Sequence, residues 1–160
     1  MELRSTPLRQ TIFSGLAAGA AGGILLNLYL VLTIVLIRRW TDPGTLMKFV
    51  AQGVMGQKAF SNPSAVLIGT VIFYSIALLW GLGYAYVAST EPPLVTKPLI
   101  SGAVFGVVVY IVMQVVELTV KIWSWHSDSG LFLMLNSIAG HILAFGIPVA
   151  YIVARWPYRS

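Results

Sequence analysis

The sequence predicts an all-α membrane protein with four transmembrane helices in two tandem helical hairpins, plus a short interfacial amphipathic helix. Three observations lead there. The 160-residue chain is 58% hydrophobic and 9% charged, whereas a soluble domain carries about a quarter charged residues. Its Lys and Arg residues fall almost wholly at the ends of apolar runs, as interfacial anchors do. Its two halves repeat a pattern of small residues. At this length the default is a single membrane domain over 1–160.

A helix needs about 20 apolar residues to cross the hydrocarbon core. Four stretches reach that length, at about 11–37, 65–88, 98–120 and 130–154. Backbone in lipid must satisfy its own hydrogen bonds, so these runs are helices. The alternation of a transmembrane β-strand is absent. The first run is longer than the roughly 7–15 apolar residues of a signal-peptide core, so it is expected to remain as a span. Pro92 and Pro93 break the chain after the second span and leave a tight loop, which makes spans two and three antiparallel neighbours. Trp40, Trp80, Trp123, Trp125, Trp156, Tyr86 and Tyr158 near span ends are expected to form interfacial aromatic belts.

Between spans one and two, Asp42 can cap a helix whose first turn holds Pro43. Leu46, Met47, Val50, Val54 and Met55 recur at helical spacing, with Lys48, Gln52 and Lys58 elsewhere. This predicts an amphipathic helix over about 44–57, lying in the interface plane.

The repeat is carried by small residues. Ser14-Gly15-Leu16-Ala17-Ala18-Gly19 opens span one and Ser101-Gly102-Ala103-Val104-Phe105-Gly106 opens span three, with Asn27 and Gln114 at matching offsets. Trp80-Gly81 near the end of span two matches Phe145-Gly146 in span four. Gly15, Gly19 and Gly23 form one four-residue ladder and Gly102 and Gly106 another; with Gly81 and Gly146 they are the candidate packing residues, because small side chains let helix backbones approach closely.

The net charge is +5, but no basic cluster with interleaved aromatics points to nucleic acid. There is no cysteine, which excludes disulfides, thiolate metal sites and a cysteine nucleophile. The chain has no HExxH pair, nucleophile elbow or phosphate-cradling loop, so no enzyme and no metal site are expected. Within the spans, His141 is the most pointed candidate. A neutral imidazole there can ligate a haem iron or a chlorophyll magnesium, with Gly140 giving a flat macrocycle room; it can equally bond to a neighbouring helix. Glu117 and Lys121 have the spacing of an i,i+4 ion pair. Asn27 and Gln114 are expected to hydrogen-bond between helices, and Asn27, Gln114, Glu117 and Asn136 are the groups from which a polar pathway could be built.

Two stretches carry a family resemblance. Residues Leu46 to Phe60, reading LMKFVAQGVMGQKAF, precede span two, and His141-Ile142-Leu143-Ala144-Phe145-Gly146-Ile147-Pro148 lies in span four. They resemble the motifs of a family of small uncharacterised four-span bacterial inner-membrane proteins, a domain of unknown function. Members often carry histidine where Phe73 stands and Met-Asn where this chain has Met113-Gln114. The resemblance implies a four-helix membrane fold and a bacterial inner (cytoplasmic) membrane, and implies no activity.

The leading expectation is a non-catalytic accessory or structural subunit of a larger membrane complex, with the lipid bilayer and other integral membrane proteins as partners. The alternatives are a small-molecule, lipid or ion carrier acting as an oligomer, and a haem- or chlorophyll-binding subunit using His141. Basic residues divide five and five between the two faces of the membrane. The neutral-to-acidic Trp123–Asp128 loop suits the outside, which puts both termini in the cytoplasm.

Overall fold

The structure, a computed structural model, describes residues 8–39, 41–120 and 130–156. All four expected spans are helical. Helix α1, Leu8–Leu30, continues as a π-helix over Val31–Ile37. Helix α2, Pro43–Met55, is followed by a 3-10 turn over Gly56–Phe60. The second and third spans are α3, Ala65–Ala88, and α5, Pro98–Thr119; α4, Pro92–Thr96, lies between them. Helix α6, Gly130–Ala139, runs through a π segment, Gly140–Gly146, into α7, Ile147–Arg155, and the three together make span four. These four helices are long and apolar enough to cross a membrane, and no strand forms among the described residues.

The architecture is two antiparallel hairpins, α1 with α3 and α5 with span four. Each is closed by the same backbone contact. A Cβ on Gly81 would strike the Gly15 carbonyl oxygen and lie 2.6 Å from Gly19 Cα. A Cβ on Gly146 would strike the Gly102 carbonyl oxygen and lie 2.7 Å from Gly106 Cα. The residues paired by the repeat in sequence therefore make matching contacts in space. Gly23 extends the first seam, where a Cβ would lie 2.9 Å from that of Ala77. In lipid there is no hydrophobic force between helices, so van der Waals contact at such seams carries the association. The preceding serines also match: Ser14 Oγ donates to the Thr11 carbonyl (3.0 Å) and Ser101 Oγ to the Lys97 carbonyl (3.0 Å).

The hairpins join asymmetrically. α1 packs along span four, where Gly22 meets Phe145 and Val149. On the other side α3 meets α5 through large rings: Phe105 sits edge-on to Trp80 at 5.9 Å and tilted against Tyr84 at 4.7 Å. Trp80, expected in an aromatic belt, is thus a packing residue inside the bundle. Trp156 and Tyr86 do lie near span ends, whereas Trp40, Trp123, Trp125 and Tyr158 lie outside the described residues, as does the Trp123–Asp128 loop. The Pro92–Pro93 break holds a single helical turn, because proline fits the first positions of a helix. The Tyr84 hydroxyl ties this turn to the bundle, bonding to the Leu94 carbonyl (3.1 Å) and Ser101 Oγ (2.9 Å).

Helix α2 forms where expected. Asp42 caps it, accepting from the Thr45 amide (3.0 Å) and hydroxyl (2.6 Å), and these bonds hold its carboxyl below the ordinary carboxylate range. The buried face differs from the predicted one. Leu46, Met47, Ala51 and Gln52 are buried, while Val54 is 69% exposed. The reason is a backbone approach: Gly69 of α3 rests directly on the Met47 carbonyl, and fully buried Ala51 lets the two helices close. That contact buries Met47 and Ala51 against α3, and Gln52 is buried with them; Val54, two turns beyond Met47 on the same stripe, is left exposed.

The seams predict a graded response to side-chain size. Gly81→Leu and Gly146→Leu should each destabilise the fold by about 2 kcal/mol or more, because backbone must move. Gly83→Ala, where the added methyl meets open space, should be neutral or stabilising by up to about 1 kcal/mol. Unfolding of the detergent-solubilised protein measures all three; equal effects at positions 81 and 83 would contradict the seam assignment.

Candidate functional site

Span four carries the chain's polar interior. Pro148 has no N–H, and its ring crowds the carbonyl of Ala144 four residues earlier. The helix takes this up by widening into the π segment Gly140–Gly146 that precedes it. Asn136, Gly140 and His141 lie on or just before this segment, and they face two different neighbours.

Towards α1 there is a closed hydrogen-bond circuit. The Tyr29 hydroxyl donates to Asn136 Oδ1 (3.0 Å), Asn136 Nδ2 donates to Thr33 Oγ1 (3.1 Å), and the Thr33 hydroxyl donates to the Tyr29 carbonyl (2.8 Å). Gly140 lets the Tyr29 ring lie against span four, since a Cβ there would fall 2.9 Å from two ring carbons. The circuit sits where α1 passes into its own π-helix. Asn136 is buried and both ends of its amide are used.

Towards α5 lies His141. Its Nδ1 is 2.8 Å from the Ser137 carbonyl. A carbonyl only accepts, so in the neutral ring Nδ1 carries the proton and Nε2 keeps its lone pair. The ring packs edge-on to Tyr110, with centroids 5.7 Å apart. Gly106 makes this approach possible, because it sits against the His141 carbonyl. Further along the same side of α5, Gln114 Nε2 donates to Glu117 Oε2 (3.1 Å). By helical rise Glu117 is about 10 Å beyond Tyr110, near the end of the span.

The proposed pathway residues are therefore not brought together. Asn136 belongs to the α1 circuit, and Gln114 with Glu117 forms a separate pair within α5. Gln114, expected to bond across helices, bonds instead to its own. Asn27 is half-buried, four residues past Gly23 and so on the α3 side of α1; it makes no hydrogen bond among the described residues. Lys121, the expected partner of Glu117, lies outside the described residues. Gly140, expected to give a macrocycle room beside His141, is instead occupied by the Tyr29 ring. No group of three or more metal-ligating side chains occurs among the described residues.

Sequence reasoning missed Tyr29, Thr33 and Tyr110. Thr33 follows Tyr29 by four residues on the stripe that carries Gly22 and Leu26, and that spacing was the available signal. Tyr110 carries no comparable mark, because tyrosine in a span reads as ordinary packing. Gln52 is a further buried polar group: only 4% exposed, its Oε1 has no hydrogen-bond partner.

The circuit should act as glue between the hairpins. Asn136→Leu should cost about 1 kcal/mol, and Tyr29→Phe about 0.6, the range found for interhelical hydrogen bonds in membranes. The two losses should be less than additive, because both remove the same bond. A double-mutant cycle read by detergent unfolding decides this; strict additivity would show that the bond contributes nothing.

No family model, curated protein or solved structure matches this chain.

Proposed function

We propose that the chain is a non-catalytic accessory or structural subunit of a larger membrane protein complex, in a bacterial inner membrane with both termini cytoplasmic. The observation that carries this reading is the closure of each hairpin by glycine backbone. Glycine seams bring the helices of each hairpin into contact, and Ala18, Phe145, Val149 and Val153 fill the space between hairpins. The Tyr29–Asn136–Thr33 circuit and the Gln114–Glu117 pair are separate from one another, which favours a packing role over a carrier's continuous path. What the protein offers outward is apolar helix surface, including Val104, Ile111, Val115 and Leu118 along α5. Such a surface suits lipid and the spans of other membrane proteins. The four helices long and apolar enough to cross a membrane support the membrane assignment. Extraction from its native membrane in a gentle detergent, after cross-linking, should yield the chain with at least one other integral membrane protein. Recovery of the monomer alone, with and without cross-linker, would count against the reading.

One observation favours a second role, as a haem- or chlorophyll-binding subunit. A ligating histidine typically donates its other ring N–H to a carbonyl or carboxylate, which fixes the tautomer, and His141 makes that bond to Ser137. Protein purified from its native membrane should then show a Soret or chlorophyll absorption band that His141→Ala abolishes while Asn136→Leu leaves it intact. A colourless preparation that also fails to take up added haemin would remove this role.

A further inference from the structure

The segment from Arg38 to Ser64 carries Arg38, Arg39, Lys48 and Lys58 against a single acid, Asp42. Asp42 is committed to its own helix, with both carboxylate oxygens bonded to Thr45. With four cations and one acid, the segment carries a net positive charge. It is also held on a built surface. Gly56, with φ of +59°, turns the chain out of α2 in a conformation that suits only glycine. The 3-10 turn Gly56–Phe60 then folds back, and fully buried Ala51, Ala59 and Ala65 pack it onto α2 and the start of α3. This brings the Phe60 ring edge-on to Phe49, with centroids 5.2 Å apart.

Each ring has a lysine close by in sequence, Lys48 next to Phe49 and Lys58 two residues before Phe60. The backbone at Lys58 is pinned, since its carbonyl accepts from the Ser61 amide (3.3 Å), the Ser61 hydroxyl (3.3 Å) and the Asn62 amide (3.1 Å). Lys58 itself is exposed, as are Phe60 and Val54. Exposed Val54 adds apolar surface beyond the part of α2 that is buried against α3.

Two cations, an aromatic pair and an apolar ledge at the end of a membrane bundle match a molecule that is anionic at one end and apolar at the other. We infer that α2 and the Gly56–Phe60 turn form a binding site for an anionic phospholipid. Lys48 and Lys58 attract its headgroup phosphate, and Val54 and Phe60 meet its acyl chain. A soluble phosphate would use the lysines and leave the apolar ledge without a role.

The protein is relipidated with an equimolar mixture of phosphatidylglycerol and phosphatidylcholine, and retained lipid is read by native mass spectrometry. Phosphatidylglycerol should be retained preferentially. Lys58→Gln should weaken retention about five-fold and the Lys48→Gln/Lys58→Gln pair roughly twenty-five-fold, the effect of one and two interfacial charges. The Lys48→Arg/Lys58→Arg pair should keep it, and Arg9→Gln, at the other end of the bundle, should leave it unchanged. Because Lys58 is exposed, Lys58→Gln tests the site without risk to the fold. Equal retention of the two lipids, no loss in the glutamine variants, or displacement of the lipid by millimolar inorganic phosphate would each overturn the inference.

Discussion

The contact between glycine backbones at two equivalent places is the constraint on which the rest of the bundle depends. At Gly81 against Gly15 and Gly19, and at Gly146 against Gly102 and Gly106, there is no room for a side chain. Helices in lipid gain little from hiding apolar surface from one another, since the solvent is equally apolar. Close approach, with many atoms in van der Waals contact, is what remains. Each seam holds two spans antiparallel, and their register follows from which glycines meet. The position of every other side chain along the seam, including His141 beside Gly106, is set by that register.

The second organising feature is the way span four absorbs Pro148. A proline in a transmembrane helix leaves carbonyls to be satisfied and crowds the preceding turn. The π segment Gly140–Gly146 spreads this over two turns and changes the rotational phase of everything before it. Asn136 and Gly140 consequently face α1, while His141 faces α5. This widened segment therefore supplies both the Tyr29–Asn136–Thr33 circuit and the oriented imidazole. The two clusters differ in kind. The first is closed, each of its polar atoms having a partner within the bundle. The second is bonded only through Nδ1, to the carbonyl of Ser137 in its own helix.

Helix α2 shows how a backbone contact can outweigh side-chain polarity. A helix on a bilayer surface would be expected to bury its most apolar stripe. Here Gly69 comes down on Met47, and Gln52 is buried while Val54, two turns beyond Met47 on the same stripe, stays exposed.

By itself, the sequence determined the four helices, their approximate ends, the pairing of spans into repeated hairpins and the residues of both glycine seams. These follow from strong local constraints: a backbone in lipid must close its own hydrogen bonds, and small residues at four-residue spacing mark where a neighbour can come close. The tertiary structure alone decided which face each helix presents and which polar groups meet. Spans of nearly uniform apolarity give no preferred rotation, so Trp80 could be read as interfacial and Gln114 as bonding across helices. Tyr29 and Asn136 lie 107 residues apart, and neither residue's own neighbourhood names the other. Their meeting rests on the seam register, the phase shift at Pro148 and the space left by Gly140. It is the sum of contacts made elsewhere in the bundle, and no local pattern encodes it.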